Sequence, residues 1–259
     1  RQRETFIRMG IFADWANPYL TMNFTTEANI VRALGKIIEK GHLHKGEKPV
    51  YWSVVGGSAL AEAEVEYQDK TSYSVDVAYP VSDAARNQLI TAFGHSAADG
   101  DVALVIWTTT PWTLPSSQAV SLHPELDYVL CEIDGRKLIV AEALLESFSA
   151  RAAVEGASVL ATAKGATLEN LLLNHPFYDI QVPVLLGDHV TTDAGTGCVH
   201  TAPDHGVDDY NVAKKYAIGV LNYIDDGGLY RDNVPLFAGE HVYKSMPRCS
   251  MSSSNMATC

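Results

Sequence analysis

Three adjacent threonines, Thr108, Thr109 and Thr110, can donate and accept hydrogen bonds and could orient a water molecule or a polar ligand. They follow the β-branched apolar run at residues 102–106, which is short enough to be a buried strand. The segment 107–115 also contains two tryptophans and two prolines, and proline ends a strand ladder because it fixes φ and lacks an N–H. The pattern indicates a pocket wall, although an edge strand that uses threonine for its β-propensity would look the same.

A second polar segment, residues 193–210, combines glycines with imidazoles and carboxylates. Gly195 and Gly197 allow a tight bend or the close approach of a ligand. The titratable side chains that follow are His200, Asp204, His205, Asp208 and Asp209. A helix is predicted at residues 208–216, and carboxylates in its first turn would interact favourably with the helix dipole without any further function.

Three kinds of site could use this segment. His200, His205 and Asp209 could bind a catalytic metal, although their spacing matches no motif of known mechanism. A serine nucleophile is discounted because the chain has no Gly-x-Ser-x-Gly segment. The third is a clamp, in which a carboxylate pairs with a substrate ammonium, a histidine lines the wall and threonine hydroxyls orient water for ester hydrolysis.

The composition describes a globular chain with an acidic balance. Of its 259 residues, 47% are apolar and 19% are charged, and the formal net charge of −12 argues against a broad nucleic-acid-binding surface. The four cysteines show no Cys-x-x-Cys spacing, which favours free thiols in a reducing cytoplasm. Without a signal peptide or a run of about 20 apolar residues, we expect no membrane association. Because the chain begins at Arg1, we expect a fragment.

Hydrophobic periodicity and turn residues predict a mixed α/β fold. Helices are predicted at residues 25–40, 83–93, 141–152 and 208–216. Strands are predicted at residues 50–55, 62–66, 74–79, 102–107, 128–133, 137–141, 182–186 and 189–192. Asp134 and Gly135 mark a hairpin turn between two of these strands.

Two long motifs resemble those of a known family. They are Trp-Thr-Thr-Thr-Pro-Trp-Thr-Leu-Pro at residues 107–115 and Gly-Thr-Gly-Cys-Val-His-Thr-Ala-Pro at 195–203, with Asp-Asp-Tyr at 208–210. Together they are similar to the editing (CP1) domain of class I isoleucyl-tRNA synthetases, and related stretches occur in the valyl and leucyl enzymes. The adenylation signatures HIGH and KMSKS are absent from this sequence.

The resemblance implies a mixed α/β editing domain of the valyl, isoleucyl and leucyl type. Its core would be a twisted, β-barrel-like sheet with surrounding helices. Residues 1–48 would connect to the synthetase core and contain one helix, 49–70 would form a β-ribbon linker, 71–244 would be the editing domain, and 245–259 a disordered tail.

The implied reaction is hydrolysis of valine esterified to the terminal adenosine of isoleucine tRNA. An apolar pocket separates isoleucine from valine by only about 1–3 kcal/mol, as is known for isoleucyl-tRNA synthetases themselves, so a second pocket must remove the error. The implied partners are the valine-bearing acceptor end of the tRNA and the remainder of the synthetase, with a monomeric chain. Editing itself would need no cofactor, while ATP, with zinc as a further candidate, would serve the full-length enzyme. A tRNA-positioning module without hydrolysis and a metal-dependent hydrolase are the alternatives.

The resemblance also implies roles for single residues. Asp209 would bind the substrate ammonium, Thr109 and Thr110 would position the water or the ester, and His200 would help to exclude the larger side chain. The expected substrate-binding residues are Trp107, Thr108, Thr113, Ser117, His200 and Asp208. Ser117 stands where the family usually has asparagine, and loss of the amide predicts weaker activity. Residues 53–56 lack the Cys-x-x-Cys of some relatives, so no zinc ribbon is expected there.

Overall fold

The computed structural model describes residues 2–94, 100–154 and 156–256, which form two units. The first unit, Arg1–Glu47, contains the helices α1 (Gln2–Arg8) and α2 (Phe24–Glu39). α2 confirms the helix predicted at residues 25–40, and Gly41 follows it with a φ of 73°, as is common after a helix. None of the residues in α1 or α2 is buried.

The second unit, Lys48–Cys259, begins with a short hairpin of β1 (Tyr51–Ser53) and β2 (Ser58–Leu60). The strand predicted at residues 62–66 is wrong, because Glu62–Glu64 forms a 3₁₀ turn. The carboxylate of Glu64 accepts a hydrogen bond of 2.8 Å from the N–H of Ala61, and this local bond competes with strand pairing.

Five strands form the larger sheet, in the order β3-β4-β7-β6-β8. They are β3 (Val75–Pro80), β4 (Val102–Thr108), β6 (Asp127–Ile133), β7 (Arg136–Ala141) and β8 (Ser158–Lys164). β6 and β7 confirm the predicted hairpin. Its turn residues Asp134 and Gly135 both have positive φ, 49° and 74°, as a tight hairpin turn requires.

Four strands form a second sheet, in the order β11-β5-β10-β9. They are β5 (Ala119–Leu122), β9 (Leu172–Asn174), β10 (Gln181–Leu186) and β11 (Cys198–Thr201). The strand predicted at residues 189–192 is wrong, because the chain turns there and the N–H of Val190 bonds to the carbonyl of Gly187. β5 was not predicted, since all four of its residues are buried and no polar alternation marks it.

The two larger sheets share one apolar core, which includes residues of both. The described strands thus form open sheets around a common core and not a closed barrel. The helices of this unit are α3 (Arg86–Phe93), α4 (Leu145–Arg151), α5 (Val207–Lys215) and α6 (Val242–Met256). On the far side of the larger sheet, Phe148 of α4 packs in a second cluster with Val105 and Val140.

The predicted disordered tail at residues 245–259 is wrong for its first residues. α6 continues through them, and it buries Ser245, Met246 and Cys249 against the domain. The buried residues Val242, Met246 and Cys249 lie at helical spacing. Residues 257–259 lie outside the described part of the chain. Within that part, no helix is both long enough and apolar enough to cross a membrane.

Candidate functional site

A cleft of about 320 Å³ brings the two polar segments together. One wall is the end of β4, with Trp107, Thr108 and Thr109, and the other is the loop that leads into β11. The residues of the second wall are His189, Thr191, Asp193, Ala194, Gly195, Thr196, Gly197, Cys198 and Val199. The fold therefore places a hydroxyl-rich strand end opposite the glycine-containing loop, as the pocket hypothesis requires.

The threonine wall is held by its own hydroxyls. Thr108 is buried, and its Oγ1 accepts a 3.1 Å hydrogen bond from the N–H of Thr110. The carbonyl of Thr110 in turn accepts a 2.8 Å bond from the hydroxyl of Thr113, and that of Thr109 accepts a 2.6 Å bond from Ser72. Thr109 and Thr110 themselves are exposed, so their side chains are available to a ligand.

His200 is buried on β11 and connects the two motifs. Its Nε2 lies 3.1 Å from Oγ1 of Thr113, and because that hydroxyl donates to Thr110, the histidine nitrogen must be the donor. Nδ1 is then an acceptor, and it is buried with no hydrogen-bond partner among the residues that the structure describes. Burial, followed by the charges of His205 and His175, lowers the pKa of His200 to about 4, so the imidazole is neutral at pH 7.

Asp209 lies in the first turn of α5, and its Oδ1 accepts a 2.9 Å hydrogen bond from the N–H of Ala202 just after β11. Its Oδ2 lies over Gly206, where an added Cβ would approach it to 2.1 Å. Burial raises the pKa of Asp209, while the N–H of Ala202 and the imidazole of His189 favour the charged form. A partly buried carboxylate thus stands beside His189 on the cleft wall.

Of the predicted site residues, Trp107, Thr108 and Thr109 line the cleft. The others are not among its lining residues, namely Thr110, Thr113, Ser117, His200, Asp208 and Asp209. Ser117 is 1% exposed, and its Oγ accepts a 3.0 Å hydrogen bond from Tyr79 inside the core, so its side chain points away from the cleft. The reason is the 3₁₀ turn Pro111–Ser116, which carries the chain from the cleft into β5. Asp208 is exposed in the first turn of α5, where the helix dipole accounts for it.

The structure does not assemble His200, His205 and Asp209 into a ligand set. Nε2 of His205 lies 3.2 Å from Oγ of Ser116, and the other two side chains bond to Thr113 and Ala202. Among the described residues, no group of three histidine, cysteine or acidic side chains is arranged to hold a metal ion.

His189 and Thr191 belong to the cleft but were not predicted, because the sequence placed them on a strand. No local signal distinguishes them, since their position depends on the turn at Gly187. That glycine is needed because a Cβ there would meet the His189 ring at 2.5 Å and Val212 of α5 at 3.1 Å.

We expect Gly197→Ala to destabilise the cleft wall strongly. Gly197 has a φ of 71°, and a Cβ there would lie 2.4 Å from Cβ of Ala141. Left-handed backbone and overpacking together should lower the free energy of unfolding by about 2–5 kcal/mol in a urea titration. Gly135→Ala is the matched control, because its φ is 74° but nothing lies within 4 Å of the added Cβ. Equal losses for both variants would contradict the packing argument.

The comparisons with solved structures define the class of the fold. The crystal structure of GlLeuRS-CP1 matches with a TM-score of 0.55 at 17% identity, covering 72% of this chain and 96% of that one. The editing domain of the P. falciparum cytosolic leucyl-tRNA synthetase matches with a TM-score of 0.50 at 9% identity, covering 72% and 97%. The fold is therefore that of a CP1 editing domain.

Sequence comparison gives the family. The model for class I tRNA synthetases (I, L, M and V) matches residues 1–256, and the chain belongs to that family. The isoleucine–tRNA ligase of Saccharophagus degradans is 63% identical over 243 residues, and that of Teredinibacter turnerae is 62% identical over 244. Each match covers 94% of this chain and 26% of the relative, so the chain spans about a quarter of their length.

Proposed function

We propose that this chain is an editing hydrolase, which deacylates isoleucine tRNA that carries valine by mistake. The observation that carries the proposal is the cleft between the threonine wall and the loop at residues 193–199, with the carboxylate of Asp209 next to it. The high identity to isoleucine–tRNA ligases supports the choice of amino acid and tRNA. The expected partners are therefore the acceptor end of that tRNA and the remainder of the synthetase.

Each wall supplies one part of the chemistry. The carboxylate of Asp209 pairs with the α-ammonium of the esterified valine, a charge-assisted contact that orients the ester. The exposed hydroxyls of Thr109 and Thr110 hold the attacking water or the ester oxygen. The water oxygen bonds to the ester carbonyl carbon, the bond from that carbon to the ribose oxygen breaks, and the ribose oxygen takes up a proton.

Selection against isoleucine depends on the size of the cleft. Neutral His200, fixed between β5 and the Thr113 hydroxyl, stiffens β11, whose residues Cys198 and Val199 line the cleft, without introducing a charge. The wall of the cleft must be rigid, because valine and isoleucine differ by one methylene group and a flexible wall would admit both.

The direct test is single-turnover deacylation with the chain in excess over tRNA. We expect release of valine from valyl-tRNA(Ile) and much slower release of isoleucine from isoleucyl-tRNA(Ile). The same assay after exhaustive chelation separates this reaction from a metal-dependent hydrolase, which would lose its activity. No release of valine by the untreated chain would reject hydrolysis.

A tRNA-positioning module without hydrolysis is the second candidate. It is motivated by Ser117, which stands in place of an asparagine, and by the small part of its relatives that the chain spans. The burial of Ser117 against Tyr79 weakens the first of these grounds. Tight tRNA binding together with complete absence of deacylation would restore it. We further propose that the chain is a cytoplasmic monomer. The thiols of Cys131, Cys198 and Cys249 are buried and form no disulfide, as expected in a reducing compartment.

A further inference from the structure

The guanidinium group of Arg151 lies at the seam where the two walls of the cleft meet. Arg151, the last residue of α4, makes a two-pronged ion pair with Asp76, with nitrogen–oxygen distances of 2.8 and 2.6 Å. A nitrogen of the same guanidinium lies 3.3 Å from the carbonyl oxygen of Gly195. Its central carbon is also 5.9 Å from the centroid of the Trp107 ring. One side chain thus contacts both walls of the cleft.

The register of the larger sheet explains why these groups converge. Asp76 of β3 lies directly opposite Trp107 of β4, so the two side chains share one face of the sheet. α4 is anchored on that side of the domain by Phe148, which is 1% exposed and lies 5.8 Å from the guanidinium carbon. The guanidinium is therefore held in one place by the helix, and its planar fork matches the carboxylate.

Trp107 and Gly195 are in direct contact at this seam. A Cβ added to Gly195 would lie 3.0 Å from the indole ring, so the loop backbone packs on the tryptophan with no room to spare. The indole is also held by a 2.7 Å hydrogen bond from its Nε1 to Oγ of Ser74. The indole is thereby fixed to Ser74, just before β3. The Gly195 backbone is joined to α4 by its hydrogen bond from Arg151 and, through Asp76, to β3.

We propose that Arg151 is a positioning residue of the editing site, which sets the width of the cleft by fastening the Gly195 loop to the Trp107 wall. This inference rests on the proposed function. Arg151 does not touch the substrate; it acts through the backbone of Gly195. When the fork is lost, the loop moves away from the indole, the cleft widens, and the larger isoleucyl ester enters.

The test is Arg151→Lys, which keeps the charge but cannot make the two-pronged contact. We expect the rate of isoleucyl-tRNA(Ile) deacylation to rise about tenfold, while that of valyl-tRNA(Ile) changes less than about threefold. Asp76→Asn, which removes the charge on the other side of the pair, should shift the ratio of the two rates in the same direction. Arg86→Lys alters another Arg–Asp pair, between Arg86 at the start of α3 and Asp83 just before it, and should leave the ratio unchanged.

A second readout does not depend on catalysis. Hydrogen–deuterium exchange of the peptide that covers residues 193–199 should accelerate in Arg151→Lys, while the peptide that covers β5 stays protected. Unchanged exchange in this loop, or an equal fall in both deacylation rates, overturns the inference. If the unmodified chain hydrolyses neither ester, the proposed function fails, and the exchange result alone then decides whether Arg151 fastens the loop.

Discussion

Asp209→Asn is expected to lower the rate of valyl-tRNA(Ile) deacylation by about 10²–10³-fold. Removing one partner of a desolvated ion pair costs about 3–5 kcal/mol, because the other charge remains unpaired, and here that charge is the substrate ammonium. Asparagine keeps an oxygen at the position that accepts the N–H of Ala202, so the start of α5 should stay folded. The measurement is single-turnover deacylation, with circular dichroism to confirm the fold.

Asp208→Asn is the matched control for this prediction. It removes the same charge one residue earlier, from a side chain that points into solvent in the same helical turn. Its deacylation rate should stay within about threefold of the unmodified chain, since exposed charges contribute little at physiological salt. Activity retained by Asp209→Asn, or lost equally by both variants, would contradict the role assigned to Asp209.

The second large effect concerns stability in acid. Burial lowers the pKa of both His175 and His200 from the ordinary value of 6.5 to about 4. Between pH 6.5 and 4 the unfolded chain therefore binds more protons than the folded chain does. The contribution of these histidines to the free energy of unfolding is complete above pH 6.5 and is lost as the pH falls towards 4. Each shift corresponds to about 3 kcal/mol, so together they are comparable to the whole stability of a domain.

Other buried groups modify this loss without reversing its sign. The pKa of His205 is also lowered by burial and adds to it, whereas the raised pKa of Asp209 acts in the opposite direction. Urea unfolding between pH 7 and pH 4 should show a steep decline in the free energy of unfolding. His175→Gln should reduce that slope whatever its effect at pH 7, and His42→Gln, on an exposed histidine, should not. A flat profile over this range would mean that the buried histidines are not neutral in the folded chain.

Much of the fold follows from local patterns in the sequence. The apolar residues of α2 repeat at helical spacing. The turn of the β6–β7 hairpin needs only two residues that tolerate positive φ, which Asp134 and Gly135 supply. Fully buried β5 escaped prediction, because a strand covered on both faces has no polar alternation. The strand predicted at residues 62–66 is wrong for a different reason. Its polar–apolar alternation belongs to a turn, in which the Glu64 carboxylate accepts a hydrogen bond from the N–H of Ala61.

The two polar segments could be predicted as parts of one site from local sequence, because their residue types and order are properties of the chain alone. Which side chains face the cleft depends on the tertiary structure. It turns Ser117 into the core, folds Asp209 over Gly206, and brings Arg151 to Asp76 across 75 residues. Side-chain direction at the end of a strand or the start of a helix depends on what packs against it, and those contacts come from parts of the chain that no local pattern connects.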